Sequence, residues 1–222
     1  MLAGKQPRLD RSSVSTACWR IVVLLASVSL CVLAQEQRVS QYAHRCWLLR
    51  DGFFNGAATT ITQTNDGYIW IGSVAGLYRF DGVGFEPWSS PDGKKLPSNV
   101  ILSLAGARDG SLWIGMRGGL AHFDGHKLFL YPNFYDDLDG LVEDRSGFIW
   151  FTRSGAGGAL ETPICQALPT TIHCLEQSDG VTTKVCCPKS LTQDTEGLLW
   201  ATTEGPLLRW KAGHSETYLP KE

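Results

Sequence analysis

The sequence is poor in the features that mark helical, nucleic-acid-binding or membrane-embedded proteins. It has two methionines among 222 residues and few long runs of helix-favouring side chains, which argues against an all-helical fold. No run of five basic residues occurs, and 20 lysines and arginines stand against 22 acids, so nucleic acid is not an expected partner. Beyond one stretch near the N-terminus, no apolar run approaches the length of a membrane span.

Recognisable catalytic motifs are missing as well. The chain contains no Gly-x-Ser-x-Gly, no His-Glu-x-x-His, no phosphate loop and no Cys-x-x-Cys. Most aspartates lie in turns beside glycine, where side-chain capping of the turn accounts for them. We therefore expect no cofactor and no resident metal, and we do not expect this chain to be an enzyme.

The N-terminus has the pattern of an export signal. A basic leader precedes the 14-residue apolar run 21–34, which is shorter than the roughly 20 residues of a spanning helix. Small residues at its end predict a signal peptide over residues 1–34, with cleavage before Gln35. The alternative is an uncleaved anchor, which would be the only contact with a membrane. The remaining chain is then a soluble periplasmic or secreted protein.

A four-fold repeat dominates the rest of the sequence. Four tryptophans each have glycine three residues before them and an aliphatic residue nine residues before them. The Trp–Gly pairs are Trp70 with Gly67, Trp113 with Gly110, Trp150 with Gly147, and Trp200 with Gly197. The tryptophans are 43, 37 and 50 residues apart, a period that indicates a solenoid, a propeller or a repeat array.

The composition and turn signals of each repeat unit are typical of short antiparallel strands. In residues 59–88, "NDG" is a tight-turn signal, and "YIWIGS" and "LYRF" have the aromatic and β-branched composition of strands. Four strands in about 43 residues predict an all-β propeller of four-stranded antiparallel blades. We place propeller repeats over 35–222, with blade cores near 59–88, 100–131, 139–162 and 189–219. The repeated tryptophans are then core residues between blades.

These residues carry a family resemblance. The segment "ITQTNDGYIWIGSVAGLYRFDGVGFEPW" resembles the two-component regulator propeller repeat, and "LPSNVILSLAGARDGSLWIGMRGGLAHFDG" is similar to a second copy. Weaker copies follow, so the resemblance extends over about residues 45–210. It implies the extracytoplasmic sensor region of a hybrid histidine kinase or related signalling protein, with an unknown ligand that is often a carbohydrate in such proteins.

The chain departs from that family plan at its C-terminus. It ends at Glu222 with no later membrane span, kinase motif or DNA-binding segment. We expect an N-terminal fragment with an incomplete propeller, exposing an apolar blade face at its C-terminal end through which the chain self-associates. A closed ring of four blades is the alternative.

Other functional classes stay open on sequence alone. "SGFIWFT" resembles repeats of streptogramin lyase, a seven-bladed propeller enzyme, although no His-Glu pair at a recognisable position supports lyase chemistry. A propeller scaffold for protein partners is a further alternative. Blades of the pyrroloquinoline-quinone dehydrogenase type are a weaker one.

Four cysteines cluster between the third and fourth tryptophans. Cys165, Cys174, Cys186 and Cys187 fall in a Cys-rich insertion at 163–188, which we interpret as a disulfide-tied hairpin because an exported chain meets an oxidising compartment. Three pairings are open. A zinc site of three cysteines with His173 is the alternative, although the spacing matches no common zinc motif.

The parts of the repeat that vary between copies are the candidate ligand contacts. They follow each "W-I-G" segment, at 73–75, 116–117, 153–154 and 203–204. Among them, Arg117 and Arg153 are the residues that we expect to bind an acidic sugar or a carboxylate, and the alternative is that both are exposed loop arginines. We interpret His122 and His126 as solvated residues beside a turn.

Overall fold

The computed structural model describes residues 46–48, 56–132, 134–154, 164–175, 190–202, 207–211 and 214–218. The chain divides into two compact units, Met1–Cys46 and Trp47–Glu222, and the fold described below is that of the second. The predicted signal peptide over 1–34 lies outside the described residues, as do Cys186, Cys187 and the turn 203–204. In the described segments, no helix is long and apolar enough to cross a membrane.

Four antiparallel sheets of four strands make up the described structure, and strands that follow each other in the chain lie side by side. We call the sheets blades 1 to 4. Blade 1 consists of β1 (Ala58–Gln63), β2 (Ile69–Ser73), β3 (Gly76–Phe80) and β4 (Phe85–Pro87). Blade 2 consists of β5 (Ile101–Gly106), β6 (Leu112–Met116), β7 (Gly119–Phe123) and β8 (Leu128–Leu130).

Blades 3 and 4 have the same strand order. Blade 3 consists of β9 (Asp137–Glu143), β10 (Ile149–Ser154), β11 (Ile164–Ala167) and β12 (Ile172–Cys174). Blade 4 consists of β13 (Ser190–Gln193), β14 (Leu199–Thr202), β15 (Leu207–Lys211) and β16 (His214–Tyr218). The prediction of an all-β fold built from four-stranded antiparallel blades is confirmed.

The repeated glycine closes the turn between the first two strands of every blade. Gly67, Gly110 and Gly147 have φ of 89°, and Gly197 has φ of 84°, a left-handed conformation that side chains with a Cβ rarely adopt. In blade 1 the Gly67 amide donates to the Thr64 carbonyl at 2.9 Å, and the other three blades repeat this bond. The spacing of glycine before tryptophan therefore reflects a backbone requirement of the turn.

The tryptophans of blades 1 to 3 are buried and point toward the following blade. Trp70 meets the edge of Phe123 in blade 2, with ring centroids 6.4 Å apart, and Trp150 meets Trp210 in blade 4 at 5.2 Å. Burial of about 150–250 Å² per ring corresponds to roughly 4–6 kcal/mol of transfer free energy as an upper estimate. For these three tryptophans, the interpretation as inter-blade core is confirmed.

Trp200 in blade 4 behaves differently, and the prediction that it is inter-blade core is wrong for the described residues. Its ring is only partly buried and stacks on Tyr218 of the same blade, with centroids 5.6 Å apart. The guanidinium of Arg209 lies 5.3 Å from the ring centroid. The physical reason is that, among the described strands, none beyond blade 4 packs on this face.

The first strands of neighbouring blades pack side by side, β1 with β5, β5 with β9, and β9 with β13. At one edge of the arc, which we call the turn edge, the second residue of each β-turn also reaches the next blade. Asn65 donates to the Arg108 carbonyl at 2.7 Å, Arg108 to the Arg145 carbonyl at 3.0 Å, and Arg145 to the Thr195 carbonyl at 2.6 Å. These bonds fix consecutive blades in one register.

Blade 3 takes its outer strands from the segment that we predicted to be an insertion. β11 and β12 are its third and fourth strands, so the blade reaches beyond the predicted core of 139–162 and into 163–188. A disulfide joins Cys165 to Cys174 across the pair. The expected disulfide-tied hairpin is thus present at these two cysteines. As disulfide partners, neither can supply the thiolate that the alternative zinc site requires.

Candidate functional site

The predicted ligand contacts lie at the edge of the arc opposite the turn edge, which we call the loop edge. It comprises the turn at 74–75, the turn at 117–118, the end of β10 at 153–154, and the described part of the connection 131–136. In each of blades 1 to 3, antiparallel pairing places the start of the first strand beside the end of the second strand, so these segments lie at the same edge. The pairs are Ala58 with Ser73, Ile101 with Met116, and Asp137 with Ser154.

Ser73 is a structural residue of the blade 1 turn. It is fully buried, and its hydroxyl oxygen accepts from the amides of Ala75 and Gly76 at 3.0 and 3.1 Å while donating to the Gly76 carbonyl at 3.0 Å. The interpretation of Ser73 as a specificity residue is therefore wrong. Met116, in the equivalent position of blade 2, is also fully buried. At these turns, Val74 and Arg117 remain at the surface.

Arg117 lies at the surface of the loop edge, between blades 2 and 3. Its backbone amide donates to the Val100 carbonyl at 2.9 Å, which fixes the start of the side chain. The side chain is 64% exposed, and its Nε lies 3.8 Å from Oδ2 of Asp137. A pair this long and exposed adds little to stability. It leaves guanidinium donors directed at solvent, which suits bidentate binding of a carboxylate.

Arg153 is held more tightly and lies next to the same connection. Its Nη1 is 2.6 Å from Oδ2 of Asp136, with both side chains mostly buried. Ser154 donates to Asp139 at 2.9 Å. The structure therefore brings the two predicted arginines together through consecutive aspartates, Asp136 and Asp137. Because three carboxylates face two guanidinium groups, the patch is polar rather than basic.

A small cavity of about 250 Å³ lies on the blade 1 side of the loop edge, beside Ala75. Lys94 contributes to its wall, donates to the Leu128 carbonyl at 2.8 Å and lies 3.5 Å from Asp92. The pKa of Asp92 is lowered to about 2, chiefly because the Ser90 hydroxyl donates to it at 2.5 Å. Asp92 therefore stays ionised and holds Lys94 in place.

The interpretation of His122 in blade 2 as a solvated residue is wrong. It is half-buried, and its ring stacks on Trp113 with centroids 4.3 Å apart and planes 17° apart. Burial lowers the pKa of His122, and this outweighs the opposing attraction of Asp109 and Asp124. The signal that could have identified it is the repeat itself, because blades 1 and 4 have arginine, Arg79 and Arg209, at this position.

The acidic side chains do not form a metal site in the part of the chain that the structure describes. There, no group of three or more histidine, cysteine, aspartate or glutamate side chains is arranged to hold a metal ion. The aspartates act mainly in turns, as predicted: Asp81 and Asp124 each accept two backbone amides, and these bonds lower the pKa of both carboxyls.

Comparison with known proteins identifies the repeat. The sequence profile of the two component regulator propeller matches residues 52–75 and 95–118, each including the first two strands of a blade. The fold is similar to the extracellular domain of a hybrid two-component system from B. thetaiotaomicron, with a TM-score of 0.59 and 19% identity over 76% of this chain and 23% of that one. The comparison with curated proteins found no significant match.

Propeller enzymes share the architecture. Virginiamycin B lyase from Staphylococcus aureus matches with a TM-score of 0.58 and 17% identity, over 78% of this chain and 58% of the lyase. A gluconolactonase from Xanthomonas campestris matches at 0.55 and 16%, over 73% of this chain and 62% of that one. This chain therefore spans only part of the length of each relative. Likeness at such identities shows the fold alone, whereas the matched repeats are specific: the chain carries two-component regulator propeller repeats and folds as an arc of β-propeller blades.

Proposed function

We propose that these blades form the ligand-binding part of an extracytoplasmic sensor of the two-component type, with a carbohydrate carrying a carboxylate as its ligand. The observation that carries this proposal is the match of two repeats to the two-component regulator propeller, together with the fold shared with the extracellular domain of a hybrid two-component system. The Cys165–Cys174 disulfide favours an oxidising compartment, periplasmic or secreted.

Arg117 is the ligand contact in this proposal, and Arg153 positions the loop. The Arg117 guanidinium is exposed and loosely paired, so a ligand carboxylate can replace Asp137 as its partner without leaving a buried charge. Arg153 holds Asp136 close and thereby fixes the connection that carries Asp137. The three carboxylates of this patch require an anionic ligand to approach along the outer side of Arg117.

The test is binding of uronic-acid oligosaccharides to the full chain, measured by calorimetry beside neutral oligosaccharides of the same length. Loss of one charge-assisted pair is worth about 1.5–3 kcal/mol, so Arg117→Ala is expected to weaken binding about 10- to 100-fold. Arg79→Ala is the matched control, because it removes a guanidinium from an exposed pair with Glu86 far from the loop edge. Equal affinity in Arg117→Ala and wild type overturns the proposal.

An enzymatic role is the second candidate, because lyase and lactonase propellers share the fold. It predicts turnover, whereas a sensor releases its ligand unchanged. Chromatography of the bound oligosaccharide after prolonged incubation separates the two, and appearance of an unsaturated or ring-opened product would establish the enzyme. A protein-binding scaffold predicts neither binding nor turnover of oligosaccharides.

A further inference from the structure

A groove of about 470 Å³ opens between the outer strands of blades 2 and 3, at the turn edge and therefore away from Arg117 and Arg153. Its walls are mainly aromatic. Trp113 and Phe129 come from blade 2, and Phe148 comes from blade 3. Phe129 is 45% exposed and Phe148 is 49% exposed. A volume of this size is in the range of small-ligand sites.

One wall of the groove carries a cross-strand pair at which blade 2 differs from blades 1 and 4. In blade 1 the third and fourth strands pair Arg79 with Glu86, and blade 4 pairs Arg209 with Glu216 in the same register. In blade 2 the equivalent pair is His122 with Phe129, whose rings stack with centroids 5.8 Å apart. Blade 3 also lacks the ion pair and has Gln166 opposite His173 at this position, whereas blade 2 has two stacked aromatic rings, which line the groove.

Blade 2 breaks the repeat a second time, at the acceptor for the tryptophan N–H. The indole nitrogens of Trp70, Trp150 and Trp200 donate to side chains six residues earlier, at 2.8, 2.8 and 2.7 Å. The acceptors are Thr64, Asp144 and Asp194.

At that position blade 2 has Ala107, which accepts nothing through its side chain. Among the described residues, the Trp113 N–H has no hydrogen-bond partner, and it is not enclosed. Trp113 lines both the groove and a second cavity of about 450 Å³. An accessible donor that the protein itself does not use is available to hydrogen-bond a ligand hydroxyl or water in the cavity.

His122 adds to the same pattern. Its Nε2 is buried without a hydrogen-bond partner among the described residues, and an unpaired buried polar atom costs stability. The charged groups nearest to it are Asp109 and Asp124, and the latter lines the groove. These carboxylates disfavour an anionic ligand. Flat apolar rings, one free donor and an acidic rim together suit a neutral ring that carries hydroxyl groups.

We propose that this groove is a second binding site, which takes a neutral pyranose. The C–H face of the sugar lies on Phe129 and Phe148, and one hydroxyl accepts from the Trp113 N–H while others donate to Asp124. A proline-rich peptide would also fit aromatic walls, but its carbonyls only accept and leave Asp124 unused. The proposal does not depend on acidic sugars binding at the loop edge.

The decisive variant is Ala107→Asp, which restores the acceptor that blades 3 and 4 have. Ala107 faces the second cavity, so there is space for the carboxylate. The Trp113 N–H then has an internal partner, and the protein is expected to melt at the same temperature or higher. Affinity for methyl glucoside, methyl galactoside or methyl mannoside, whichever binds wild type best, is expected to fall about tenfold, as for one lost hydrogen bond.

Two further variants test the walls. The double change His122→Arg with Phe129→Glu rebuilds the ion pair of blades 1 and 4 and is expected to abolish sugar binding in a folded protein. Phe148→Ala is expected to weaken it at least fivefold. Tyr218→Ala is the matched control, because it removes an exposed aromatic ring on blade 4, outside both the groove and the loop edge.

Each result has one meaning. Sugar binding that is weakened in Ala107→Asp and Phe148→Ala but kept in Tyr218→Ala supports the groove. The proposal is overturned if none of the three glycosides binds wild type in calorimetry or by tryptophan fluorescence, if Ala107→Asp binds as wild type does, or if only a proline-rich peptide binds. Binding of uronic-acid oligosaccharides by Ala107→Asp reports on the loop edge separately.

Discussion

At the scale of single residues, the first residue of each β-turn explains much of the repeat. Asp144 is buried, accepts the Trp150 N–H at 2.8 Å, and accepts the amides of Ser146 and Phe148 at 2.8 and 2.9 Å. One carboxylate thus closes the turn and orients the ring that packs on blade 4. Asp194 does the same in its own turn, and the bond from Trp200 is the main reason that its pKa is lowered.

We predict that Asp144→Ala destabilises the protein by about 2–3 kcal/mol, because three donors lose a charged acceptor. Urea unfolding followed by tryptophan fluorescence measures this. Glu86→Ala is the control, since Glu86 is exposed in a surface pair and its loss should change stability by less than about 0.5 kcal/mol. Equal effects of the two substitutions would contradict this role for Asp144.

His122 gives a prediction about pH. Its folded-state pKa lies below its unfolded value because burial disfavours the charged ring. As pH falls below about 6.5, the unfolded chain takes up a proton that the folded chain does not, so stability decreases through this window. Asp92, with a pKa of about 2, and the other lowered carboxyls lose their contribution only at lower pH, below about 4.

The measurement is the free energy of unfolding at pH 7.5 and 5.5. His122→Phe keeps a ring against Trp113 but removes the titrating group, and we expect its difference between the two pH values to be smaller than that of wild type. If both proteins lose the same stability between pH 7.5 and 5.5, His122 is not the group that titrates.

At the scale of strands and turns, the hairpin of β11 and β12 depends on its disulfide. Cys165 is fully buried, and Cys165 and Cys174 are nine residues apart. Closing a loop of this length in the unfolded chain stabilises the fold by about 2–3 kcal/mol. We predict that the double change Cys165→Ser with Cys174→Ser lowers the melting temperature. A reductant is expected to lower the melting temperature of wild type but not that of this double variant. Cys46→Ser, at an exposed free cysteine, is the control and is expected to melt like wild type.

The sequence predicted blades 1 and 2 closely and blade 3 poorly, for a physical reason. In blades 1 and 2 the third strand follows the second after a tight turn, so composition and turn signals coincide. In blade 3 the segment between β10 and β11 is longer, and β11 and β12 carry Cys165 and Cys174, which resemble an insertion when read alone. β11 becomes a blade strand by pairing with β10, and β12 by pairing with β11. Local sequence patterns do not predict pairing across a long connection.

At the scale of the whole molecule, the apolar face of blade 1 that points away from blade 2 is only partly covered by the residues that the structure describes. Ile61 is 67% exposed, whereas its repeat equivalents Leu104 and Leu191 are 7% and 8% exposed because a preceding blade covers them. A cavity of about 540 Å³ lies on this face. Trp47 covers part of it by meeting the edge of Phe80 at 5.1 Å, as Trp70 meets the equivalent aromatic ring of blade 2.

We predict that the chain associates with itself through this face, which extends the earlier expectation of an open C-terminal face to the other end of the arc. Ile61→Asp is expected to shift light scattering toward monomer and to reduce binding of an apolar dye. Val83→Asp, at another exposed aliphatic residue, is the control. A wild-type chain that is monomeric at all concentrations would contradict the prediction.

The sequence alone determined the repeat, the antiparallel blade and the turn glycines, because these depend on local backbone geometry and on the period of large apolar residues. The tertiary structure decided the rest. It paired Arg117 and Arg153 with the consecutive aspartates Asp137 and Asp136, buried Ser73, and stacked His122 on Trp113. Such contacts join side chains from different strands or blades, and their energies depend on burial and distance that only the packed arc sets.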